Sequence, residues 1–441
     1  MSRRVVITGL GSVCALGVGM DALWAGLMAG RTNLGPLKAV DARGFRSRLA
    51  GEVEGFSAKD YVPKHYRKAV KVMARDIELA VGAAKTAVED AGLVTRGTTE
   101  DGGDAGLTYR PERMGCHIGA GLIAAETEEM SAAMATARDE SGAFSLRRWG
   151  GEGGGGMDAL TPLWLLKYLP NMLACHVTII HGCEGPSNTI TCAESSGPLS
   201  IGESARVIER GDADLCFSGG AESKLNCMGI LRMDLAGRLA ATGEAGEGSA
   251  FVKPYDPSAA GGILGEGGGI LILEAEETAR ARGAKVYAEV AGFGGGQSLA
   301  GYEGPDDEGY RNAVLNALDD AGIGPEVIDA VVPLASSIPG LDTAEAGALR
   351  SVFGERLARV PMVHFGANIG NCTAGAGALQ AAVAAKCLAE QALPARVHAG
   401  KPDRSLDAAA APARSAKLTY VLVCTGALGG QNAALVLRAA G

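Results

Sequence analysis

No stretch of this 441-residue chain reaches the ~18 consecutive apolar residues that a membrane-spanning helix needs. The apolar run that begins at Val5 is too short for a secretion signal. Basic residues never form a long run, and the net charge is −9, so a phosphate-binding surface is not expected. These absences predict a cytoplasmic protein that binds neither nucleic acid nor a membrane.

Paired metal-ligand spacing is also missing. None of the ten cysteines belongs to a C-x-x-C pair, and the six histidines show no ligand spacing with one another or with the cysteines. Zinc sites and disulfide frameworks depend on such spacing. We therefore expect reduced, buried thiols, no metal site and no cofactor.

Glycine, by contrast, is abundant, with 66 residues. Part of it lies in two polar, turn-rich segments, 94–111 and 149–156. Because neither segment carries enough apolar surface to order itself, both are predicted to be surface loops.

Apolar runs of strand length alternate with helical patterns, which predicts an α/β architecture with mixed or largely parallel sheets. The predicted strands are 4–8, 114–119, 187–192, 213–218, 269–274, 286–292, 329–333, 361–365, 419–425 and 433–438. The predicted helices are 21–29, 64–92 (long enough for two helices), 122–136, 195–210, 308–320, 342–352 and 373–389. The order of elements in 1–275 recurs in 276–441, which indicates two duplicated halves.

A set of short motifs resembles the β-ketoacyl synthases. They are Arg-Arg-Val-Val-Ile-Thr-Gly-Leu-Gly at 3–11, Gly-Pro-Ser at 185–187, Arg-Gly-Asp-Ala-Asp at 210–214, Ser-Gly-Gly-Ala-Glu at 218–222, Pro-Tyr-Asp at 254–256, Leu-Gly-Glu-Gly at 264–267 and Gly-Gly-Gln-Asn at 429–432. Each is weak alone, but together they span nearly the whole chain in the family's order and spacing. The resemblance implies a thiolase fold, two similar halves in a five-layered αβαβα sandwich, and an obligate dimer.

The residues that a condensing ketosynthase needs are replaced in this chain. Such an enzyme uses a thiolate nucleophile and two imidazoles. An ungapped match to the family places Glu194 at the nucleophile position. The two histidines correspond to Leu334 and Asn371, the lysine of the second motif to Gly366, and the aromatic gating loop to Gly-Ala-Leu-Gly-Gly at 426–430. The resemblance therefore implies that the chain does not condense acyl groups by itself.

Two nearby residues could in principle substitute for the lost groups. Cys192 lies two positions before Glu194, and on a strand that offset leaves its thiol roughly 6–7 Å from the helix end. We interpret Cys192 as a buried structural thiol, with a shifted nucleophile as the alternative. His364 lies near the second histidine position but on the predicted strand 361–365, and we interpret it as structural.

Members of the family that have lost this machinery are similar to the chain-length factors of type II polyketide systems. Ile-Pro-Gly-Leu-Asp-Thr-Ala-Glu-Ala at 338–346 and Gly-Phe-Arg-Ser-Arg-Leu-Ala-Gly-Glu-Val at 44–53 resemble that group. The resemblance implies a non-condensing subunit that forms a heterodimer with an active ketosynthase, shapes its acyl tunnel and works with an acyl carrier protein. Its pathway would be polyketide, polyene or fatty-acid-like biosynthesis.

Glu194 is a departure from that group, which usually has glutamine there. One interpretation is a cap on the following helix, where a carboxylate is stabilised by the helix dipole. Others are a mimic of malonyl charge that supports priming by decarboxylation, or an acid–base group in unrelated chemistry. Two further hypotheses stay open: a homodimeric enzyme that uses Glu194 as a malonyl decarboxylase or acyl-transfer catalyst, and a homodimeric acyl-binding protein.

The resemblance implies residues for the acyl pocket and for the dimer interface. Leu122 is expected to close the floor of the acyl pocket, while Met130 and Met134 either line the tunnel and interface or belong to the core. The segment Trp164 to His176 would add dimer contacts.

A basic helix stands where active ketosynthases dock an acidic carrier protein. Its candidate docking residues are Lys64, Arg67 and Lys68, with His65, Lys71 and Arg75 beside them. Charge steering supports docking, and a solvated helix face is the alternative.

Overall fold

The computed structural model describes residues 3–100, 102–301 and 304–441. The α-helices are α1 (Met20–Met28), α2 (Arg75–Asp90), α3 (Thr127–Thr136), α4 (Leu146–Trp149), α5 (Met172–His181), α6 (Ser196–Glu209), α7 (Cys227–Leu235), α8 (Glu276–Ala281), α9 (Glu308–Asp320), α10 (Pro339–Phe353), α11 (Gly366–Ile369) and α12 (Ala376–Glu390). The strands are β1 (Val5–Cys14), β2 (Gly17–Val18), β3 (Gly35–Pro36), β4 (Leu49–Gly51), β5 (Met114–Gly119), β6 (Ser187–Ile190), β7 (Leu215–Glu222), β8 (Leu264–Gly265), β9 (Gly267–Ala275), β10 (Ala288–Gln297), β11 (Ala300–Gly301), β12 (Gly304–Pro305), β13 (Ala330–Val332), β14 (Ala392–Leu393), β15 (Arg414–Ser415), β16 (Tyr420–Gly426) and β17 (Gln431–Ala439).

The main sheet is mixed and contains ten strands. Its order is β13-β16-β17-β10-β1-β9-β7-β5-β6, with β2 beside β1. β1 and β10 join through only two residue pairs, Val6 with Glu289 and Ile7 with Ala288. The sheet therefore has an N-terminal part and a C-terminal part that meet at this narrow junction.

Helices cover the sheet and fill the space between its two parts. α2 packs on β1, β9 and β7, and α9 packs on β10 and β17. α6 contacts β5 and β7, α12 contacts β9 and β16, and the two helices also contact each other. α12 is buried on every side from Ala376 to Leu388, which is typical of a helix in the centre of a large protein. This gives the helix and strand layers that the αβαβα sandwich requires.

The two central helices approach each other through glycine. A Cβ on Gly197 would lie 2.7 Å from the backbone nitrogen of Ala378, and one on Gly377 would lie 2.3 Å from Cδ of Pro198. Any larger residue would push the helices apart, so glycine is required at both positions. The close contact brings together the N-terminal ends of α6 and α12.

Two predicted elements differ from the structure. The strand predicted at 361–365 is wrong: the segment makes only isolated bridges, Met362 with Val331 and Pro361 with Asp407. A short apolar run fits a buried irregular segment as well as a strand. The helix predicted from 122 begins only at Thr127, because the carbonyl of Leu122 accepts a hydrogen bond from the Lys224 side chain instead of from a helical N–H.

Residues 94–100 and 102–111 are held by specific contacts, contrary to the prediction that the segment lacks the means to order itself. Thr95 is buried, and its hydroxyl lies 2.8 Å from Nδ1 of His181. Arg96 bridges Asp104 at 2.5 Å and Glu184 at 2.8 Å. Polar contacts, together with the packing of Tyr109 on the core, hold these residues in place. A prediction from apolar content alone does not include the polar contacts.

Within the described ranges, no helix is both long enough and apolar enough to cross a bilayer.

Candidate functional site

Glu194 lies in a 3₁₀ turn, Ala193–Ser195, between the end of β6 and the start of α6. Ala193 has a φ of +46°, a left-handed conformation that costs free energy for a residue with a side chain. The Glu194 side chain is fully buried. The turn thus places the carboxylate inside the protein at the head of a central helix.

A second turn of the same kind precedes α12. It spans Thr373–Gly375, and Thr373 has a φ of +47°. The two turns contact each other, so Asn371, just before the second turn, lies beside Glu194. The predicted nucleophile position thus lies in a strained turn at the head of α6.

Arg238 and Asn371 bind the same oxygen of Glu194. The guanidinium of Arg238 forms an ion pair with Oε1, and the two side chains are 7% and 0% exposed. The amide of Asn371 donates to the same oxygen at 3.1 Å, while its own oxygen accepts from the Thr373 N–H at 2.8 Å. Among the described residues, Oε2 of Glu194 has no hydrogen-bond partner.

The interpretation of Glu194 as a helix cap is therefore wrong. Its described partners are side chains, and α6 has no side-chain cap at Ser195. Arg238, 44 residues further along the chain, was not identified from the sequence, because nothing in its local pattern marks it as a partner of Glu194. The only signal for a partner was a general one: a carboxylate needs a counter-ion when the fold buries it.

Leu334, at the position predicted for the first histidine, lies in a loop that is held by hydrogen bonds to two carboxylates. The backbone N–H of Leu334 donates to Glu345 at 2.9 Å, and that of Ser336 donates to Asp342 at 2.9 Å. Both carboxylates come from α10. They fix a loop in which Ala335 and Ser337 have φ values of +49° and +63°, so two buried carboxylates hold this strained conformation.

Gly366 leaves open the space of the lysine position. It begins α11, and a Cβ built on it would lie 3.7 Å from the carbonyl oxygen of Ala335, an ordinary van der Waals distance. The backbone therefore does not demand glycine here.

His364 is structural in position, although not on a strand as predicted. It is buried, and its Nε2 lies 2.8 Å from the carbonyl oxygen of Ala408. Burial lowers its pKa to about 3, so it is neutral at physiological pH. None of the six histidines lines any of the three cavities around Glu194.

Cys192 follows the end of β6 at Ile190 and is half-buried, so the strand predicted at 187–192 is two residues too long. Its N–H donates to the Ser196 hydroxyl at 2.7 Å. Burial raises the pKa of its thiol, which lowers the population of the thiolate that acyl transfer needs.

Three cavities surround the Glu194 cluster, which consists of Glu194, Arg238 and Asn371. The Leu122 chamber, of about 350 Å³, is lined by Leu122, Pro170, Thr191, Ala193, Met233 and Arg238, with Gly121, Glu222, Lys224 and Thr373. The Ser336 cavity is lined by Leu334, Ser336, Gly366 and Asn371, among others. A middle gap between them is lined by Arg238, Ile263, Asn371 and Thr373, among others. The chamber wall carries two cations, but Arg238 is paired with Glu194 and Lys224 with Glu222.

The three residues predicted to line the tunnel do not lie together in the structure. Leu122 lines the Leu122 chamber and is 62% exposed. Met130 and Met134 lie on α3, where Met134 is 42% exposed, which is inconsistent with a core position for that residue. The chamber thus contains one of the three.

The basic segment forms a 3₁₀ helix, Lys64–Val72, followed by α2. Lys64, Arg67 and Lys68 are exposed on it. Arg75 is not part of this surface, because its guanidinium binds Glu266 at 2.8 Å.

Large apolar side chains are exposed between residues 122 and 179. This exposed apolar set consists of Leu122, Met134, Phe144, Leu146, Met157, Leu163, Leu165 and Ile179. β6, at one edge of the main sheet, lies next in the chain and has an exposed first half. An unpaired strand edge and apolar side chains of this kind are typical of a surface that another chain covers.

Known proteins share both the sequence pattern and the fold. Residues 2–279 match the description "Beta-ketoacyl synthase, N-terminal domain", and residues 287–400 match "Beta-ketoacyl synthase, C-terminal domain". A 3-oxoacyl-[acyl-carrier-protein] synthase 2 of Staphylococcus aureus (strain N315) is 29% identical, and the match covers 99% of this chain and 98% of that protein.

Two solved structures superpose over their whole length. The ishigamide ketosynthase/chain length factor is 27% identical with a TM-score of 0.82, and the match covers 100% of both chains. A β-ketoacyl synthase from Burkholderia phymatum STM815 has the same identity, TM-score and coverage. The fold is therefore the thiolase-like ketosynthase fold, and this chain belongs to the β-ketoacyl synthase family.

Proposed function

We propose that the chain is a non-condensing subunit, similar to a chain-length factor, that pairs with a cysteine-bearing ketosynthase and shapes its acyl tunnel. The observation that carries the proposal is the environment of Glu194. A carboxylate occupies the nucleophile position, and it is buried and bound to Arg238 and Asn371. Condensation needs a thiolate and imidazoles at this place, and none of the three is there.

The Glu194 cluster also argues against a stand-alone enzyme that uses this carboxylate. A general acid or base has to exchange a proton with a substrate. Glu194 faces a guanidinium, which stays protonated in proteins, and an amide, which carries no transferable proton. The cluster is built to hold a charge in place, so decarboxylation or acyl transfer at Glu194 has the weaker support.

The exposed apolar set supports a partner chain. Leu163, Leu165 and Ile179 are each more than half exposed, with 66%, 57% and 59% of their surface open. Obligate subunit interfaces are apolar and resemble a domain core cut in half. The likeness to the ishigamide ketosynthase/chain length factor supports an active ketosynthase as the partner.

A carrier protein would approach the complex through charge. Lys64, Arg67 and Lys68 form an exposed basic surface on a chain whose net charge is −9. A local basic surface steers an acidic partner to one place on an otherwise acidic molecule. We assign carrier-protein docking to this surface.

The proposal is tested by co-expression of the chain with an intact ketosynthase from the same biosynthetic system. We expect a one-to-one complex by size-exclusion chromatography and mass photometry, and elongation activity that requires both chains. Recovery of the chain only as a homodimer, with the ketosynthase fully active alone, would contradict it.

A further inference from the structure

The three cavities around Glu194 share their walls in a fixed order. Met233, Arg238 and Thr373 line both the Leu122 chamber and the middle gap. Ile263 and Asn371 line both the middle gap and the Ser336 cavity. The cavities therefore form one row, and it is interrupted at Arg238 and again at Asn371.

The middle gap, between Arg238 and Asn371, is too small for a ligand. The middle gap has a volume of about 10 Å³, at the lower limit of what one water molecule needs. The Leu122 chamber, at about 350 Å³, has room for part of an alkyl chain. The volume thus falls from ligand size to about the size of one water molecule at the side chain of Arg238, and the Ser336 cavity beyond it has a volume of about 30 Å³.

One carboxylate oxygen, Oε1 of Glu194, holds both side chains that interrupt the row. Arg238 and Asn371 each bind Oε1 of Glu194, and Asn371 is further fixed by the Thr373 N–H. Neither barrier can swing aside without leaving a buried charge or amide unpaired, which opposes opening. Replacement of the nucleophile by glutamate therefore has a geometric consequence besides the loss of the thiol.

We propose that Glu194 is a positioning residue that holds Arg238 and Asn371 as a closed partition between the Leu122 chamber and the Ser336 cavity. The partition keeps a thioester-linked acyl chain from passing through this subunit's own site, and it makes Arg238 the end wall of the Leu122 chamber. The identity of the ligand as an acyl chain rests on the proposed function; the partition itself does not.

The chamber walls fit an uncharged chain end. Leu122, Pro170 and Met233 supply apolar surface. The Lys224 ammonium is bound to Glu222 and to the carbonyl of Leu122 at 2.7 Å, so it is not free for an anionic ligand. An alkyl chain is therefore preferred to a carboxylate or a phosphate.

The test measures binding of octanoyl-N-acetylcysteamine thioester to the purified full chain by titration calorimetry. The variant E194A/R238A removes both partners of the ion pair and opens the partition. It is compared with E194L/R238M, which removes the same charges but keeps apolar volume in the gap. We expect E194A/R238A to bind the probe at least tenfold more tightly than wild type, and E194L/R238M to bind within about twofold of wild type.

Equal affinity of wild type and E194A/R238A would overturn the partition, and so would equal gains in both double variants, because charge removal alone would then explain the result. Should E194A/R238A fail to fold, wild-type crystals soaked in the probe give the answer. Probe density that fills the Leu122 chamber and ends at Arg238 supports the partition, and density that passes Arg238 toward the Ser336 cavity contradicts it.

The two proposals fail separately. If the chain never pairs with a ketosynthase but the two double variants bind the probe as expected, the proposed function is wrong and the partition stands. If the chain pairs with a ketosynthase but the probe passes through its own site, the partition is wrong and the proposed function stands.

Discussion

The guanidinium of Arg238 lies against the carboxylate of Glu194, and both side chains are almost completely buried. Burial of two opposite charges is favourable only when each has its partner, since either one alone would be an uncompensated charge in a poorly solvated site. The relationship therefore links the stability of the fold to the residue at the predicted nucleophile position.

Loss of one member of this pair should destabilise the protein strongly. We expect Arg238→Ala to lower the free energy of unfolding by about 3–5 kcal/mol, the usual effect of removing one partner of a buried pair. Urea unfolding followed by circular dichroism measures it. E194L/R238M is the control, and we expect a smaller loss of about 1–3 kcal/mol, because no charge is left unpaired and only the Asn371 amide loses its acceptor. Equal losses in the two variants would show that packing, not charge, explains the effect.

Restoring the thiol alone should not restore condensation. In Glu194→Cys the sulfur returns to the turn, but Leu334 and Asn371 provide no imidazole, and Arg238 loses its counter-ion. When members of a catalytic unit act together, loss of one costs about as much as loss of all, on the order of a millionfold. We expect no product from malonyl- and acyl-carrier protein by mass spectrometry. Turnover by this single variant would mean that the missing histidines are not needed.

Pairing with a ketosynthase should depend on the exposed apolar set. We expect Ile179→Glu to weaken the complex by at least tenfold, because a charge would be buried at the contact. Leu315→Glu is the matched control, since Leu315 is also exposed, at 44%, but lies on α9 at the outer face of the C-terminal part. Analytical ultracentrifugation of the co-expressed chains compares them. Equal behaviour of both variants would place the interface elsewhere.

Carrier-protein binding should depend on the basic surface and on salt. We expect K64E/R67E/K68E to slow association at least tenfold at low ionic strength, and the difference to shrink as salt is raised. The variant K401E/R404E/K417E changes the net charge equally at exposed positions elsewhere and is the control. Stopped-flow fluorescence with a labelled carrier protein gives the rates. An equal effect of the two triple variants would indicate general charge repulsion.

Stability should fall as the pH rises toward neutrality, partly through Asp76. Burial, followed by the nearby charge of Glu222, raises the pKa of Asp76 from 3.8 to about 7. Between these values the folded protein holds a proton that the unfolded chain releases, so raising the pH destabilises the fold by up to about 1.4 kcal/mol per pH unit. Asp76→Asn should flatten the dependence of the melting temperature between pH 5 and 7. Asp158→Asn, at an exposed position, should leave the slope unchanged. A slope in Asp76→Asn equal to that of wild type would exclude this residue.

The sequence predicted the parts of this protein that depend on local pattern. The central helices predicted at 195–210 and 373–389 are present at Ser196–Glu209 and Ala376–Glu390, because apolar residues recur at helical spacing in both segments. Counting from a motif also placed Glu194 at the turn before α6. The division into halves at 275/276 stays a prediction.

Contacts between distant residues were beyond local pattern. Arg238 looks like one more polar residue after α7, and only the fold brings it to Glu194. The helix predicted over 122–136 starts late because Lys224, about a hundred positions away, takes the Leu122 carbonyl. In both cases a long-range polar contact overrides what the neighbouring residues favour.

The most direct test of the account is an elongation assay with the purified chain alone, supplied with acyl- and malonyl-carrier protein, beside the same assay with a cysteine-bearing ketosynthase added. We predict no carbon–carbon bond formation by the chain alone, and elongated product only when both chains are present. Elongated product from the chain alone would contradict it.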